Sequence, residues 1–169
     1  EMKLKEILSE AFHSKAFWLL CGGFFVCGFH IVFIATHVPI YLVDGGLTAL
    51  DGSIVLGLIG LGNIFGSYYA GLLGGKYPKA KLLSVLYFSR ALLFVLFILL
   101  PLSQPTAYVF GFMMGFLWLS TVPLTNGAIA TIFGVKNLSM LGGFVFLAHQ
   151  VGAFLGGWLG GKIYDLVGS

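Results

Sequence analysis

Charge is scarce in this chain of 169 residues: Asp, Glu, Lys and Arg together make up 9% of it, against roughly 25% in a soluble domain. That excludes an ordinary water-soluble fold. Cysteine is nearly absent, and Cys21 and Cys27, six positions apart on one expected helix, are too distant to bridge each other. They therefore form no disulfide framework and report nothing about redox compartment. No cleavable signal peptide is visible, because the first apolar stretch runs too long and lacks a small-residue cleavage site. No phosphate-binding loop or Walker-type lysine supports an ATP-driven pump. No catalytic Ser or Cys motif is evident, so an intramembrane hydrolase is a weak reading and no enzyme is expected. A metal site is disfavoured too, since His30 and His37 are separated by about 10 Å along a helix axis. Neither a cofactor nor a nucleic-acid partner is expected.

What the chain has in abundance is hydrocarbon. Of its residues 59% are hydrophobic, the mean hydropathy is +1.01, and the charges cluster so that residues 16–43, 52–75, 91–135 and 137–161 carry none. Each run suffices for a bilayer, which a helix crosses in about 20 apolar residues. The turn Pro101-Leu-Ser-Gln-Pro105 divides the longest run, and a further apolar stretch, 82–100, precedes it. The runs are too long and too continuously apolar for barrel strands of about ten alternating residues. The expectation is an all-α, polytopic transmembrane bundle of five spans, near 17–42, 52–75, 82–101, 105–133 and 138–162. Residues 1–15 form a separate amphipathic segment. There Leu4, Ile7, Leu8, Ala11 and Phe12 share one helical face, which predicts a short helix lying on the membrane surface.

Basic residues set an orientation. Lys3, Lys5 and Lys15 precede the first span, Lys76, Lys79 and Lys81 join the second to the third, and Lys136 joins the fourth to the fifth. The opposite loops hold Asp44 and Asp51. By the positive-inside rule the N-terminus is cytoplasmic and the C-terminus outward, in a plasma (inner) membrane.

A shift of 86 residues lays Gly57 on Gly143, Gly66 on Gly152 and Gly71 on Gly157, and Leu73-Gly-Gly-Lys76 on Leu159-Gly-Gly-Lys162. Partners three spans apart run in opposite directions, the organisation of an inverted repeat. The same shift puts a counterpart of the third span beyond Ser169, so a final helix is expected to be missing and the chain reads as a fragment. The glycines at four-residue spacing in the second and fifth spans point either to tight helix packing or to smooth faces that slide during transport.

Polar residues inside spans cost free energy unless partnered or beside water. His30, Asn63, Arg90, His149 and Gln150 fall near the middle of their helices, and Trp118-Leu-Ser-Thr-Val-Pro-Leu-Thr-Asn126 adds Trp118 and Asn126 in the fourth span. Gly23, Cys27, His30, Ile34, His37 and Tyr41 form one stripe of the first span. Pro123 cannot donate to the carbonyl of Leu119, which predicts an interrupted helix. Arg90 is the costliest residue, at roughly 2.5–3.5 kcal/mol for a central position. No carboxylate lies inside a span to neutralise it. It either snorkels, or bonds to carbonyls of a neighbouring helix, or pairs with an anion.

The stretches Cys27-Gly-Phe-His-Ile-Val-Phe-Ile-Ala-Thr-His-Val-Pro39, Trp118 to Asn126 and His149-Gln-Val-Gly-Ala-Phe-Leu-Gly156 resemble the C-terminal half of major facilitator superfamily transporters, especially monocarboxylate and oxalate/formate types. Gly71-Leu-Leu-Gly-Gly-Lys-Tyr-Pro-Lys-Ala-Lys81 is similar to the superfamily's cytoplasmic loop signature, with Gly75 and Pro78 in place of its acidic residue and second glycine. The resemblance implies spans seven to eleven of twelve, the first and fourth lining a cavity, the second and fifth flanking it and the third outside. Expected partners are membrane lipid, a small organic anion, a proton carried by a histidine, and the N-terminal half and last helix of the same transporter. The anion would be held by His30, Asn126, His149, Gln150, Asn63, Trp118 and Arg90. The alternative function is a non-transporting membrane scaffold that packs helices against a partner.

Overall fold

The structure is a computed structural model that describes residues 4–167. Glu1, Met2, Lys3, Gly168 and Ser169 lie outside the described residues, Lys3 of the basic N-terminal cluster among them. Among the described residues there is no strand. A short helix α1 (Leu4–His13) leads into α2 (Lys15–Asp44), α3 (Ala49–Gly74), α4 (Lys79–Leu99), α5 (Gln104–Trp118), α6 (Thr121–Phe133) and α7 (Leu138–Val167). Helices α5 and α6 together make the fourth of five membrane-spanning lengths, so the five expected spans are all present.

The ends of these helices follow from local chemistry. Thr48 and Asp51 form a reciprocal capping box at the start of α3: the Asp51 N–H donates to Thr48 Oγ1 at 3.2 Å, and the Thr48 N–H donates to Asp51 Oδ2 at 2.8 Å. Ser103 caps α5 by accepting from the Thr106 N–H, with Pro105 in the first turn where no donor is lost. Gly134, at φ +85°, ends α6 in a backbone conformation that side-chain-bearing residues avoid.

Two parallel pairs make the scaffold: α2 with α7, and α3 with α5. Each pair meets through glycine. A Cβ on Gly28 would strike the His149 carbonyl oxygen of α7, and one on Gly152 or Gly156 would strike the Phe25 or Phe29 carbonyl oxygen of α2. In the second pair Gly62 and Gly66 of α3 face the Phe112 and Phe116 carbonyls, while Gly115 of α5 faces the Ile59 carbonyl. Absent side chains let the backbones approach where lipid gives helices no hydrophobic reason to associate. Of the two readings left open for these glycines, the geometry displays the tight seam, notched from both sides. The pairing also matches the repeat. An exchange of the first span with the fourth, and the second with the fifth, turns the α2/α7 contact into the α5/α3 contact.

Helix α4 lies across the second pair and buries only Leu83, Arg90 and Phe97, a single stripe at seven-residue spacing. Apolar cores fill both ends of the bundle. One is built around Ile34, Leu42, Val55, Phe110 and Met114, the other around Phe17, Phe24, Ile129, Leu141 and Val145.

Part of the apolar face of α1 meets the protein: Ala11 is completely buried, Leu8 packs on the same core, and the Phe12 ring, 39% exposed, meets Phe17 and Phe144 edge-on at 5.6 and 5.5 Å. The Trp18 indole N–H, donating to the Phe12 carbonyl at 2.8 Å, fixes the fold-back. Asp51, expected in an outer loop, sits in the first turn of α3 at 3% exposure. Its Oδ1 accepts from Tyr108 Oη at 2.6 Å and Gln104 Nε2 at 3.0 Å. A carboxylate with this many donors is satisfied away from water, which is why it tolerates the helix end.

Gly66→Ala and Gly152→Ala should each lower unfolding free energy in detergent by about 1–3 kcal/mol, because a methyl group is driven against backbone. Gly57→Ala and Gly143→Ala, whose Cβ would meet nothing within 4 Å among the described residues, should be close to neutral. Thermal denaturation of the four variants checks the contrast.

Candidate functional site

The polar residues of the spans gather around the interruption between α5 and α6. Pro123 has no N–H for the Leu119 carbonyl, and that carbonyl accepts from the Val122 N–H at 3.1 Å instead. The break therefore falls at Leu119 and Ser120, and the backbone groups beside it find partners one by one. Ser120 Oγ donates to the Phe116 carbonyl at 2.5 Å and Thr121 Oγ1 to the Trp118 carbonyl at 2.9 Å. Arg90 of α4 sends Nη2 to the carbonyls of Leu117 at 2.8 Å and Trp118 at 3.1 Å. Asn63 of α3 accepts from the Leu119 N–H at 3.2 Å.

Of the three fates weighed for Arg90, this is bonding to carbonyls of a neighbouring helix. The side chain is 1% exposed, and its guanidinium lies 5.4 Å from the centre of the Tyr87 ring one turn earlier on α4. The α5 C-terminus presents the negative end of a helix dipole to this cation, which offsets part of the cost of burying it. Its Nε has no partner among the described residues.

Cys27 of α2 reaches the same place. Its Sγ is 3.5 Å from Thr121 Oγ1, and the thiol also faces the side chains of His149 and Arg90. His149, on α7, stacks parallel to Phe146 at 5.4 Å and tilts against Phe24 at 5.6 Å. His30, one turn along α2 from Cys27, lies against Phe94 at 5.0 Å and feels the charge of Arg90. Both histidines have a buried Nδ1 with no hydrogen-bond partner among the described residues. The centre of the bundle thus combines a cation, a thiol, hydroxyls and two half-satisfied imidazoles, with aromatic rings as walls. Such a set can donate hydrogen bonds to an anion or exchange a proton. No group of three or more metal-ligating side chains is found among the described residues.

Five of the seven sequence candidates converge. Arg90, Asn63 and the Trp118 backbone meet at the break, and His30 and His149 flank it. Asn126 and Gln150 are exposed on the surface of the chain, with Asn126 beside Gly142 of α7. The sequence stripe on α2 contained Cys27 without marking it. Tyr87 was legible only as the residue three before Arg90, a spacing that puts both on one helix face.

A family model described as Major Facilitator Superfamily matches residues 1–157. Among curated proteins, the uncharacterized MFS-type transporter YcxA of Bacillus subtilis (strain 168) is 25% identical over an alignment of 177 positions. The alignment covers 95% of this chain and 43% of that protein, so the chain spans less than half the length of the curated relative it matches.

Cys21 and Cys27 are both buried and free. A membrane-impermeant maleimide should therefore label neither in the folded protein and both after denaturation in SDS. Mass spectrometry of the two samples reads the difference.

Proposed function

The chain belongs to the Major Facilitator Superfamily, and on that premise we propose that it forms one half of a secondary transporter that carries a small organic anion, such as a monocarboxylate, by alternating access. It is a multi-pass membrane protein of a transporter family.

One observation carries it. Around the centre of the spans, Arg90 Nε, His30 Nδ1 and His149 Nδ1 are buried without partners among the described residues. No Asp or Glu lies in the middle of any span. Buried polar atoms are paired in the great majority of proteins, and exceptions mark function or an absent ligand. Each imidazole nitrogen is a donor of the kind that a carboxylate needs. In this reading His30 and His149 bind the anion directly, and Arg90 holds the interrupted helix beside them. Asn63 and Trp118 hold the wall, and the exposed Asn126 and Gln150 face the cavity closed by the remainder of the transporter. A histidine passing between neutral and charged forms would carry a coupled proton. The lysine-bearing end of the bundle is cytoplasmic, with residues 1–15 as the end of the linker between halves.

A scaffold reading draws on other atoms. Gly57, Gly60 and Gly71 of α3 and Gly143 and Gly161 of α7 would accept a Cβ without contact among the described residues, which suits helix packing against a partner. In a transporter the same faces would meet its other half.

Vesicles containing the complete protein should accumulate a labelled monocarboxylate. His30→Ala and His149→Ala should each reduce uptake by about tenfold or more, the loss of one hydrogen bond to a charged group. Unchanged uptake in both variants removes them from the pathway, and absence of uptake in the parent favours the scaffold.

A further inference from the structure

We propose that Arg90 and Asn63 are positioning residues that set the bend at Leu119 and Ser120, so that the angle between α5 and α6 is dictated by α3 and α4. This inference rests on the transporter reading only for its link to turnover. The latch itself is a property of the fold.

A helix interrupted by proline is soft at the interruption, because the backbone groups next to it have lost their own ladder. In hydrocarbon those groups must find partners inside the protein. Two of the partners are local: Ser120 and Thr121 bond back to Phe116 and Trp118 within a turn, and they travel with the helix whatever its angle. The other two are not. Arg90 reaches from α4 to the Leu117 and Trp118 carbonyls, and Asn63 reaches from α3 to the Leu119 N–H. They approach neighbouring peptide units from two different helices and leave one geometry in which both sets of bonds are made.

Packing on either side of the break is unequal. Below it, α5 is locked to α3 by the glycine seam of Gly62, Gly66 and Gly115. Beyond it, α6 packs through side chains: Leu124 lies against Gly74 and in a small apolar cluster with Ala70 and Leu83, and Ile129 packs with Phe17 and Leu141. An apolar crevice of about 120 Å³, lined by Gly66, Tyr69, Leu82, Leu86, Ser120 and Leu124, runs beside the break. Helix α5 is therefore held by backbone against backbone, and α6 by side-chain contacts that a change of angle can rearrange. Displacing α4 withdraws Arg90 from two carbonyls at once, and Pro123 prevents the helix from closing over the gap.

The experiment reads the bend directly in the full protein in lipid. Nitroxides on non-cysteine amino acids at the exposed positions Val109 of α5 and Ile132 of α6 report the distance across the break. The parent should give one narrow distribution. Arg90→Gln and Asn63→Leu should broaden it or add a second population. Asn63→Asp, which keeps an acceptor for the Leu119 N–H, should restore the narrow form, and Ser84→Ala on the exposed face of α4 should leave it untouched. In transport, Arg90→Gln should lower the maximal rate about tenfold, the loss of a bond from a charged donor, with KM held. Narrow, parent-like distributions in both Arg90→Gln and Asn63→Leu overturn the latch. If Arg90→Gln does not fold, the Asn63 pair decides alone. A rise in KM at constant rate would also overturn it, by making Arg90 a substrate contact. Absence of transport in the parent would fail the transporter reading and leave the distance result standing.

Discussion

A peptide group in hydrocarbon has no water to turn to, and the protein meets that condition with five long helices whose backbones satisfy themselves. The fourth span is where self-sufficiency fails. Because Pro123 interrupts it, the carbonyls of Phe116, Leu117 and Trp118 and the N–H of Leu119 need partners, and Ser120, Thr121, Arg90 and Asn63 supply them. The cost of Arg90 in the membrane and the cost of the broken helix are thus two halves of one solution: a buried cation meets a row of unsatisfied oxygens. Cys27, His30 and His149 are drawn to the same depth, and the polar interior is organised around a defect in one helix.

The scaffold that holds this defect is simple. Two parallel helix pairs, α2/α7 and α3/α5, are notched together by glycine from both sides, and α4 lies against the second pair along a stripe of three buried side chains. The pairs are equivalent under the internal repeat, but what they carry differs. The first pair brings imidazoles and a thiol to the centre, whereas the second brings the amide of Asn63 and the interrupted helix. The two pairs thus share a packing rule and differ in the polar groups that they bring to the centre.

Much of this was legible in the sequence because the signals were local or strongly periodic. Apolar runs bounded by lysines, Pro101 and Pro105 gave the five spans, and Pro123 with its serine and threonines announced the break. The glycine spacing marked the two helices that make close seams. What was not legible depends on which helix faces which. That Arg90 bonds to carbonyls and not to lipid headgroups requires the placement of α4 against α5. Asp51 was read as a loop residue because a carboxylate at the end of an apolar run usually is, yet Gln104 and Tyr108, more than fifty positions later, bring it inside. Amphipathic periodicity is the same whether the cover is lipid or protein, so the pattern of α1 did not announce that Ala11 and Leu8 pack on the core of the bundle. Asn126 and Gln150 share the depth of His30 in the sequence but not its environment, because depth is a matter of counting and facing is not.

The seam between α2 and α7 bears on how the protein sits in bilayers of different thickness. With Gly28 recessed for one backbone and Gly152 and Gly156 for the other, neither helix can shift lengthwise against its neighbour without forcing side chains into carbonyls. Each helix has 30 residues, about 45 Å of length against a hydrocarbon layer of about 30 Å. Where such an excess is taken up by tilting, the engaged teeth make the two helices tilt as one body. Lipid thickness would then act on the protein as a torque on a pair and not as a stretch of single helices.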